Sequence, residues 1–410
     1  MVAVPPGAGT PDRRVRAGPG GPGWQGARVT SFLRILAWVW AALLLVVLVG
    51  TFRPETPGIG LAGSFLSGAY PLHVALAAVL GILFGLAARA AGARFTGVAT
   101  AVLALAAVVG SVTVLAAQGR AASEQGVPLD WTATLTELGQ PDGRPDRSVE
   151  FAPGRTLDLY LPTGAGPHPT MVWVHGGSWT SGDRGDRTAL NRWLAERGWA
   201  VAAVDYRLPP PEPVGRDQQR DVACAVDWVR AHAGEAGLDP ARLVLAGQSA
   251  GATLALSTTS GLLDGTLACS EAPAAYGGTG PADGPPPTPG PPPVGVVAYY
   301  PPVDLTLVDP DLQRTLFGGT AEQAPGLLRL LSPAEQVRPG LPPTLLLLGS
   351  ADHYVLPERV AAYDRELRSA GVDGRLVTVP YADHVFDRPF GSPGAQLTRE
   401  AVIRFLTGLN

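Results

Sequence analysis

The stretch LVLAGQSAGATLAL, Leu243–Leu256, decides the fold of this chain. An apolar run ends in Gly-Gln-Ser-Ala-Gly, and an apolar pattern with helical spacing follows directly. A buried strand that turns sharply into a helix favours glycines on both sides of the turn, because a Cβ there would crowd the backbone. Ser249, at the tip, is then held away from the sheet. Glycine is abundant, at 52 of 410 residues, so a serine flanked by glycines also arises by chance and needs support from other segments.

Composition excludes several classes of protein. The net charge is −4 and 16% of the residues are charged, which provides no basic surface for nucleic acid. All 31 basic residues are arginine, so a Walker-type phosphate lysine, a Schiff-base lysine and a Ser-Lys dyad are excluded. Two cysteines, Cys224 and Cys269, are too few for a disulfide framework or a four-cysteine zinc site. Whether they pair with each other stays open.

Three apolar segments in the first third of the chain predict membrane-spanning helices. They follow a Gly- and Pro-rich tail, residues 1–30, which we expect to be disordered. Each segment has 18 or more residues, enough to cross about 30 Å of hydrocarbon. The segments are residues 35–52, 71–88 and 96–117, within a membrane region of residues 31–118.

The distribution of arginines predicts the orientation of these segments. Five arginines precede the first segment, and the second link contains Arg89 and Arg94. The first link contains only Arg53, and only Arg120 closely follows the third segment. The positive-inside rule therefore places the tail and the second link in the cytoplasm. Three crossings of the cell membrane then put the remainder of this multi-pass chain outside the cytoplasmic face.

The sequence predicts one α/β domain at residues 148–410. Residues 119–147 before it are predicted to be a linker and the start of the soluble domain. A Pro-Gly turn within SVEFAPGRTLDLYLP predicts an early β-hairpin. Six short apolar runs then alternate with helical patterns, which is typical of a mostly parallel sheet with helices on both faces. The runs are residues 170–175, 200–206, 242–247, 294–300, 343–349 and 375–380. Ligands of such sheets bind at the carboxyl ends of the strands.

Two segments interrupt this alternation. Residues 271–293 are too rich in Gly and Pro to pack, so we expect a flexible surface insertion whose role stays open. Residues 304–343 contain amphipathic patches, which predict either a small lid over the substrate or plain packing against the sheet.

A serine hydroxyl acts as a nucleophile only with a base beside it. Among the six histidines, His384 follows the last predicted strand, where a loop can reach back over Ser249. His353 competes with it from the loop after the preceding strand. We predict His384 as the base and Asp352 as the acid that orients it. The alternative acids are Asp304 and Asp383.

The segment HGGSW follows the strand predicted at residues 170–175. Its glycines allow backbone N–H groups to approach a substrate oxygen closely. We predict an oxyanion hole formed by the N–H groups of Gly176, Gly177 and Ala250. The predicted substrate-binding residues are Trp179 and Gln248.

From residue 148 onward the chain resembles the hormone-sensitive-lipase-like carboxylesterases of the α/β-hydrolase superfamily. The matching segments are, in order, HGGSW, DYRL, GLDPARLVLAGQSAGA, GSADHYV and DHVF. The resemblance implies Ser249 as nucleophile, Asp352 as acid and His384 as base. Two positions depart from the family pattern: Ser178 replaces a third glycine, and Gln248 replaces the usual acidic residue before the nucleophile. Feruloyl-esterase-like, acetyl-esterase-like and kynurenine-formamidase-like enzymes share a similar His-Gly-Gly-x-Trp segment.

The sequence therefore predicts a membrane-anchored serine hydrolase that cleaves carboxylic esters through an acyl-enzyme. Its expected partners are a small-molecule or lipid ester and the bilayer. No metal, cofactor or nucleic acid is expected, and protein partners are not predicted. An amidase or peptidase on the same fold is one alternative, and a non-catalytic membrane binding protein is the other.

Overall fold

The structure, a computed structural model, describes residues 22–209, 213–269 and 290–409. Most of the tail expected to be disordered, and most of the Gly- and Pro-rich insertion, lie outside these described residues. The chain divides into two compact units. The first contains the residues up to Leu45 together with Leu76–Val108, and the second contains Val46–Ala75 together with Val109–Asn410.

The N-terminal part of the described chain is helical. Its helices are α1 (Pro22–Phe52), α2 (Ile59–Ala69), α3 (Pro71–Ala90) and α4 (Arg94–Glu124). Among the described residues, three helical stretches are long and apolar enough to cross a membrane, and they contain the three predicted segments. These stretches are Val29–Phe52, Pro71–Ala90 and Arg94–Glu124. The chain is therefore suited to membrane association.

Two features of this region differ from the prediction. Helix α1 begins at Pro22, so residues 22–30 are helical and not part of a disordered tail. A helix extends as long as its backbone hydrogen bonds propagate, and this does not require apolar side chains. The second difference is α2, a short helix in the link between the first two spans, which the sequence analysis did not predict.

Small residues allow close helix packing within the first unit. A Cβ on Gly85 of α3 would lie 2.7 Å from the carbonyl oxygen of Gly97 on α4, so only glycine fits there. Side chains also donate hydrogen bonds across helices, as Thr100 Oγ1 does to the carbonyl oxygen of Ala37 at 3.1 Å. Both features are typical of helices that associate in lipid.

The second unit contains an eight-stranded sheet with strand order β1-β2-β4-β3-β5-β6-β7-β8. The strands are β1 (Arg147–Ala152), β2 (Arg155–Tyr160), β3 (His168–Val174), β4 (Ala200–Val204), β5 (Leu238–Gln248), β6 (Gly295–Tyr299), β7 (Thr344–Gly349) and β8 (Gly374–Val379). The first two form the predicted hairpin, β2 pairs antiparallel with β4, and all other pairs are parallel. This confirms the predicted mostly parallel sheet.

Helices cover this sheet. They are α5 (Trp131–Thr136), α6 (Thr188–Ala195), α7 (Asp217–Ala231), α8 (Ala233–Ala236), α9 (Ala250–Leu263), α10 (Pro310–Phe317), α11 (Pro325–Leu331), α12 (Pro357–Ser369) and α13 (Pro393–Thr407). Helices α7 and α9 pack against each other and against the central strands. Every residue of β4 and β6 is buried, as expected for central strands of a parallel sheet.

A disulfide joins Cys224 on α7 to Cys269, which lies shortly after α9. The two α-carbons are 4.5 Å apart. The bond therefore ties together the two helices that pack against the central strands, and it answers the pairing question that the sequence left open.

Candidate active site

Ser249 occupies the sharp turn between β5 and α9. Its φ is 51° and its ψ is −122°, a conformation that costs a non-glycine residue about 1–3 kcal/mol. Its backbone N–H donates to the carbonyl oxygen of Tyr299 at 2.9 Å, which fixes the turn to the neighbouring strand. A Cβ on Gly247 would lie 2.5 Å from the backbone of Gly251, so the first glycine of the motif is required by close packing.

The structure brings Ser249, His384 and Asp352 together at the carboxyl ends of three parallel strands. The Nε2 atom of His384 lies 3.1 Å from Ser249 Oγ, and its Nδ1 atom lies 2.8 Å from Asp352 Oδ2. The other carboxylate oxygen of Asp352 accepts hydrogen bonds from the backbone N–H groups of Tyr354 and Val355, at 2.9 and 2.8 Å. These bonds fix the carboxylate, which in turn orients the imidazole.

The competing residues have other hydrogen-bond partners. The Nδ1 atom of His353 lies 2.7 Å from Asp383 Oδ2, and its Nε2 atom contacts the carbonyl oxygen of Pro54. Asp383 accepts from the backbone N–H of His384 at 2.6 Å, and not from the imidazole. Asp304 caps a short 3-10 helix by accepting from Thr306 N at 3.0 Å. None of the three is hydrogen-bonded to the Ser249 hydroxyl or to the imidazole of His384 in the described part of the chain.

The predicted oxyanion turn has an unusual backbone. Gly177, Ser178 and Trp179 have positive φ angles of 110°, 52° and 60°. The serine that replaces the third glycine of the family pattern therefore adopts a conformation that glycine tolerates better. Gly176 and Gly177 line the same cavity as Ser249. Within the described residues, the N–H groups of these two glycines and of Ala250 donate no hydrogen bond to the protein, which leaves them available to a substrate oxygen.

His175 and Tyr206 hold this turn from behind. Their rings stack with centroids 4.1 Å apart, and Tyr206 donates its hydroxyl to the carbonyl oxygen of His175 at 3.1 Å. His175 Nδ1 lies 2.7 Å from the carbonyl oxygen of Gly176. Burial lowers the pKa of His175, so its ring is neutral at pH 7 and donates from Nδ1 to that carbonyl.

A buried polar cluster lies behind Ser249, and the sequence analysis did not identify most of it. Arg187 Nη2 donates to the hydroxyl of Tyr300 at 2.7 Å and lies 3.2 Å from Asp387 Oδ1. Its Nε donates to the side-chain oxygen of Gln248, whose amide nitrogen donates to Asp186. Burial alone would lower the pKa of Arg187, but Asp387, with Tyr300 and Asp186 nearby, together more than offset this and raise it.

This arrangement bears on the predicted substrate-binding residues. The oxygen and the nitrogen of the Gln248 side-chain amide are both hydrogen-bonded to other protein side chains, although Gln248 lines the cavity. Trp179 is buried and also lines the cavity. A substrate-binding role stays a prediction for both.

The cavity above Ser249 has a volume of about 680 Å³. Residues 304–312, in the region predicted as a lid or pocket wall, form one side of it, with apolar side chains at Leu307, Val308 and Leu312. Tyr354 and Leu356 also line the cavity and are 68% and 45% exposed. Within the described ranges, no group of three or more His, Cys, Asp and Glu side chains is arranged to hold a metal ion.

A parallel sheet with a serine on a strained strand–helix turn and a histidine within reach defines an α/β hydrolase. The family model BD-FAE matches residues 157–367, slightly more than half of the chain. The chain therefore belongs to the BD-FAE family. This agrees with the fold class and the enzyme class expected from the sequence.

Similar proteins carry esterase names. A probable isoprenylcysteine alpha-carbonyl methylesterase of Oryza sativa is 42% identical over 115 residues, which cover 27% of each chain. The esterase LipQ of Mycobacterium tuberculosis is 28% identical over 274 residues, covering 63% of this chain and 57% of LipQ. The chain thus spans from about a quarter to just over half of the length of these curated relatives.

A solved structure of a thermophilic esterase from Thermogutta terrifontis, bound to propionate, resembles this fold. Its TM-score is 0.53 and its sequence identity is 25%. The likeness covers 66% of this chain and 96% of that esterase. It therefore extends over nearly the whole of that enzyme, whereas about a third of the present chain lies outside it.

Proposed function

We propose that the protein is a membrane-anchored serine hydrolase that cleaves carboxylic esters, with Ser249 as nucleophile, His384 as base and Asp352 as the acid that orients the base. The observation that supports this most strongly is the pair of hydrogen-bond distances on either side of the imidazole. They are 3.1 Å to Ser249 Oγ and 2.8 Å to Asp352 Oδ2. Membership of a family with esterase-named relatives agrees with it.

The reaction proceeds in two halves. His384 Nε2 takes the proton from Ser249 as Oγ attacks the ester carbonyl carbon. The tetrahedral intermediate collapses when the alcohol oxygen leaves with that proton, and an acyl-serine ester remains. Water then attacks the acyl carbon while His384 accepts its proton. The proton returns to Ser249 Oγ as the carboxylic acid departs, so each turnover consumes one ester and one water.

The negative charge on the carbonyl oxygen is stabilised by the N–H groups of Gly176, Gly177 and Ala250. One such donor contributes about 3 kcal/mol to transition-state stability. Asp352 holds the Nδ1–H tautomer of His384 and stabilises the imidazolium that forms. The acyl or alcohol part of a small-molecule or lipid ester occupies the cavity bordered by Trp179.

The three apolar helices anchor the domain in the membrane. Helices α3 and α4 lie between the first link and the catalytic domain, so the link and the domain emerge on the same side of the bilayer. The positive-inside rule favours the extracytoplasmic side. The disulfide between Cys224 and Cys269 supports this choice, because such bonds persist mainly in oxidising compartments.

The full-length protein, purified in detergent, tests the chemistry. We expect hydrolysis of p-nitrophenyl esters and labelling by a fluorescent serine-reactive phosphonate. Ser249→Ala should abolish both, whereas Ser257→Ala, a buried serine further along α9, should retain both. Wild-type hydrolysis by the Ser249→Ala variant would refute the proposed nucleophile.

A matched panel of p-nitrophenyl esters and p-nitroanilides separates the proposal from its alternatives. An esterase should hydrolyse the esters by a wide margin. Comparable anilide hydrolysis would favour an amidase, and inertness towards both the substrates and the phosphonate would favour a binding protein.

A further inference from the structure

The link between α1 and α3 contacts the loop that carries His384. This link comprises residues 53–70 and includes α2. Ser64 on α2 donates its hydroxyl to Asp383 Oδ2, and both side chains are almost completely buried. The Ser64 hydroxyl also lies 3.1 Å from the carbonyl oxygen of Leu61, but the Asp383 carboxyl oxygen is the nearer acceptor.

Asp383 connects the link to the catalytic loops. Its Oδ1 accepts from the backbone N–H groups of His353 at 3.1 Å and His384 at 2.6 Å. Its Oδ2 lies 2.7 Å from His353 Nδ1, and the other ring nitrogen of His353 contacts the carbonyl oxygen of Pro54. Two residues of the link, Ser64 and Pro54, therefore complete a hydrogen-bonded cluster beside the catalytic histidine.

Backbone packing reinforces the same contact. A Cβ on Gly68 of α2 would lie 2.5 Å from the carbonyl oxygen of Tyr381, so the helix and the loop touch directly. Gln118, near the end of the third apolar segment, donates to the carbonyl oxygens of Gly68 at 2.9 Å and Pro380 at 3.1 Å. Two membrane-proximal parts of the chain thus hold the residues just before His384.

The loop depends on such contacts because its own backbone does not favour its shape. Tyr381 and Val385, on either side of His384, have positive φ angles of 58° and 53°. Non-glycine residues in that region persist only where surrounding interactions hold them. The Ser64–Asp383 hydrogen bond supplies one of these interactions from outside the catalytic fold.

We propose that the link between the first two apolar helices is a positioning element of the active site, in which Ser64 holds Asp383 and thereby sets the place of His384. The inference rests on the proposed function. This positioning gives the membrane region a second role besides anchoring. His384 lies within hydrogen-bonding distance of Ser249 only when the link is packed against the loop.

The test compares Ser64→Ala with Ser67→Ala in the full-length protein. Ser67 lies one turn further along α2 and is similarly buried, and within the described residues its hydroxyl donates only to the carbonyl oxygen of Ser64. Both variants remove one buried serine hydroxyl from the same helix. Only Ser64→Ala removes the side-chain hydroxyl that donates to Asp383.

We expect Ser64→Ala to lower kcat about 10- to 100-fold, since small misplacement of a catalytic group has effects of this size. KM should stay within about twofold, because Ser64 does not line the cavity. The end point of phosphonate labelling should equal that of the wild type while its rate falls, which separates misplacement from unfolding. Ser67→Ala should keep the wild-type kcat.

A kcat for Ser64→Ala within about twofold of that for Ser67→Ala would overturn the inference. A labelling end point that falls in proportion to kcat would do so too, because fewer folded molecules would then explain the loss. If Ser64→Ala does not fold, Gly68→Ala provides the test. Its Cβ pushes α2 away from Tyr381, and the same loss of kcat is expected.

The two proposals fail separately. Wild-type hydrolysis by the Ser249→Ala variant contradicts the proposed function. An inactive Ser249→Ala variant together with a fully active Ser64→Ala variant leaves the function in place and contradicts only the role of the link.

Discussion

Gly251 lies against the carbonyl oxygen of Val174, so closely that a Cβ on Gly251 would be 2.2 Å from it. Val174 ends β3 just before the predicted oxyanion turn, whereas Gly251 is in the first turn of α9, which directly follows Ser249. One close approach of helix to strand therefore sets the position of Ser249, the proposed nucleophile, relative to the proposed oxyanion donors. This explains why the motif requires its second glycine.

Gly251→Ala should displace both Ser249 and the predicted oxyanion turn. The new Cβ forces α9 away from β3, and overpacking of this kind costs about 1–3 kcal/mol. We expect a lower melting temperature and a loss of kcat that exceeds any change in KM. Gly234→Ala is the control, because a Cβ there meets nothing within 4 Å. Equal behaviour of the two variants would contradict this prediction.

Asp352→Asn should lower kcat about 10⁴-fold at neutral pH, because an amide no longer stabilises the imidazolium or enforces the Nδ1–H tautomer of His384. This magnitude is the one known for the serine-protease triad. Asp227→Asn serves as a control, since this carboxylate is also buried but pairs with Arg230 on α7. Steady-state hydrolysis of a p-nitrophenyl ester measures the effect. A loss below about tenfold would favour another acid.

Arg187→Met should destabilise the domain. The Arg187–Asp387 pair is almost fully buried, and removal of one partner leaves an uncompensated charge, which costs about 3–5 kcal/mol. Urea unfolding followed by tryptophan fluorescence measures the change. Arg144→Met removes an exposed pair with Asp142 and should change the unfolding free energy by less than about 0.5 kcal/mol.

Docking of the link should weaken as the pH rises. The pKa of His353 is raised: burial alone would lower it, but the Pro54 carbonyl and the Asp383 carboxylate, with Asp352 nearby, more than offset this. A histidine whose folded pKa is raised adds its full stabilisation below its unfolded pKa of about 6.5 and loses it as the pH rises through the folded value.

Hydrogen exchange of residues 53–66 measures this effect. Protection relative to a His353→Gln variant should be greater at pH 6 than at pH 8. Both proteins are compared at each pH, so the chemical dependence of exchange cancels. An equal protection ratio at the two pH values would show that protonation of His353 does not stabilise docking of the link.

Reduction of the disulfide should lower the melting temperature. Cys224 and Cys269 are 45 residues apart, and closing a loop of this length stabilises a domain by about 4 kcal/mol in the chain-entropy treatment. A double Cys→Ser variant should melt at the temperature of the reduced protein, and reductant should not change its melting temperature. A wild type that is insensitive to reductant would contradict the prediction, provided that thiol titration confirms complete reduction.

Local patterns sufficed for most of the fold. Apolar runs of six or seven residues marked the six later strands, because a strand buried on both faces needs no polar residue. The Gly-Gln-Ser-Ala-Gly turn located Ser249, because crowding there is a property of adjacent residues. The position of His384 after the last strand, together with the family resemblance, favoured it over His353 as the predicted base.

The sequence did not predict the long-range contacts. Helix α2 is short and rich in glycine, so its pattern resembles a loop between two spans. The partner of Ser64 lies 319 residues away, and no spacing rule connects them. Asp383 was considered as an acid for the imidazole because it precedes His384. Only the structure distinguishes a carboxylate that binds the backbone from one that binds the ring.

The distance along the chain between Ser64 and Asp383 has a consequence for biosynthesis. If the apolar helices span the bilayer as proposed, the link leaves the ribosome and reaches the membrane before the strands of the sheet have been made, since chains are synthesised from the N-terminus. On that proposal, the last loop of the nascent enzyme folds against a link that is already in place, and the membrane segment serves as a template for the domain that follows it.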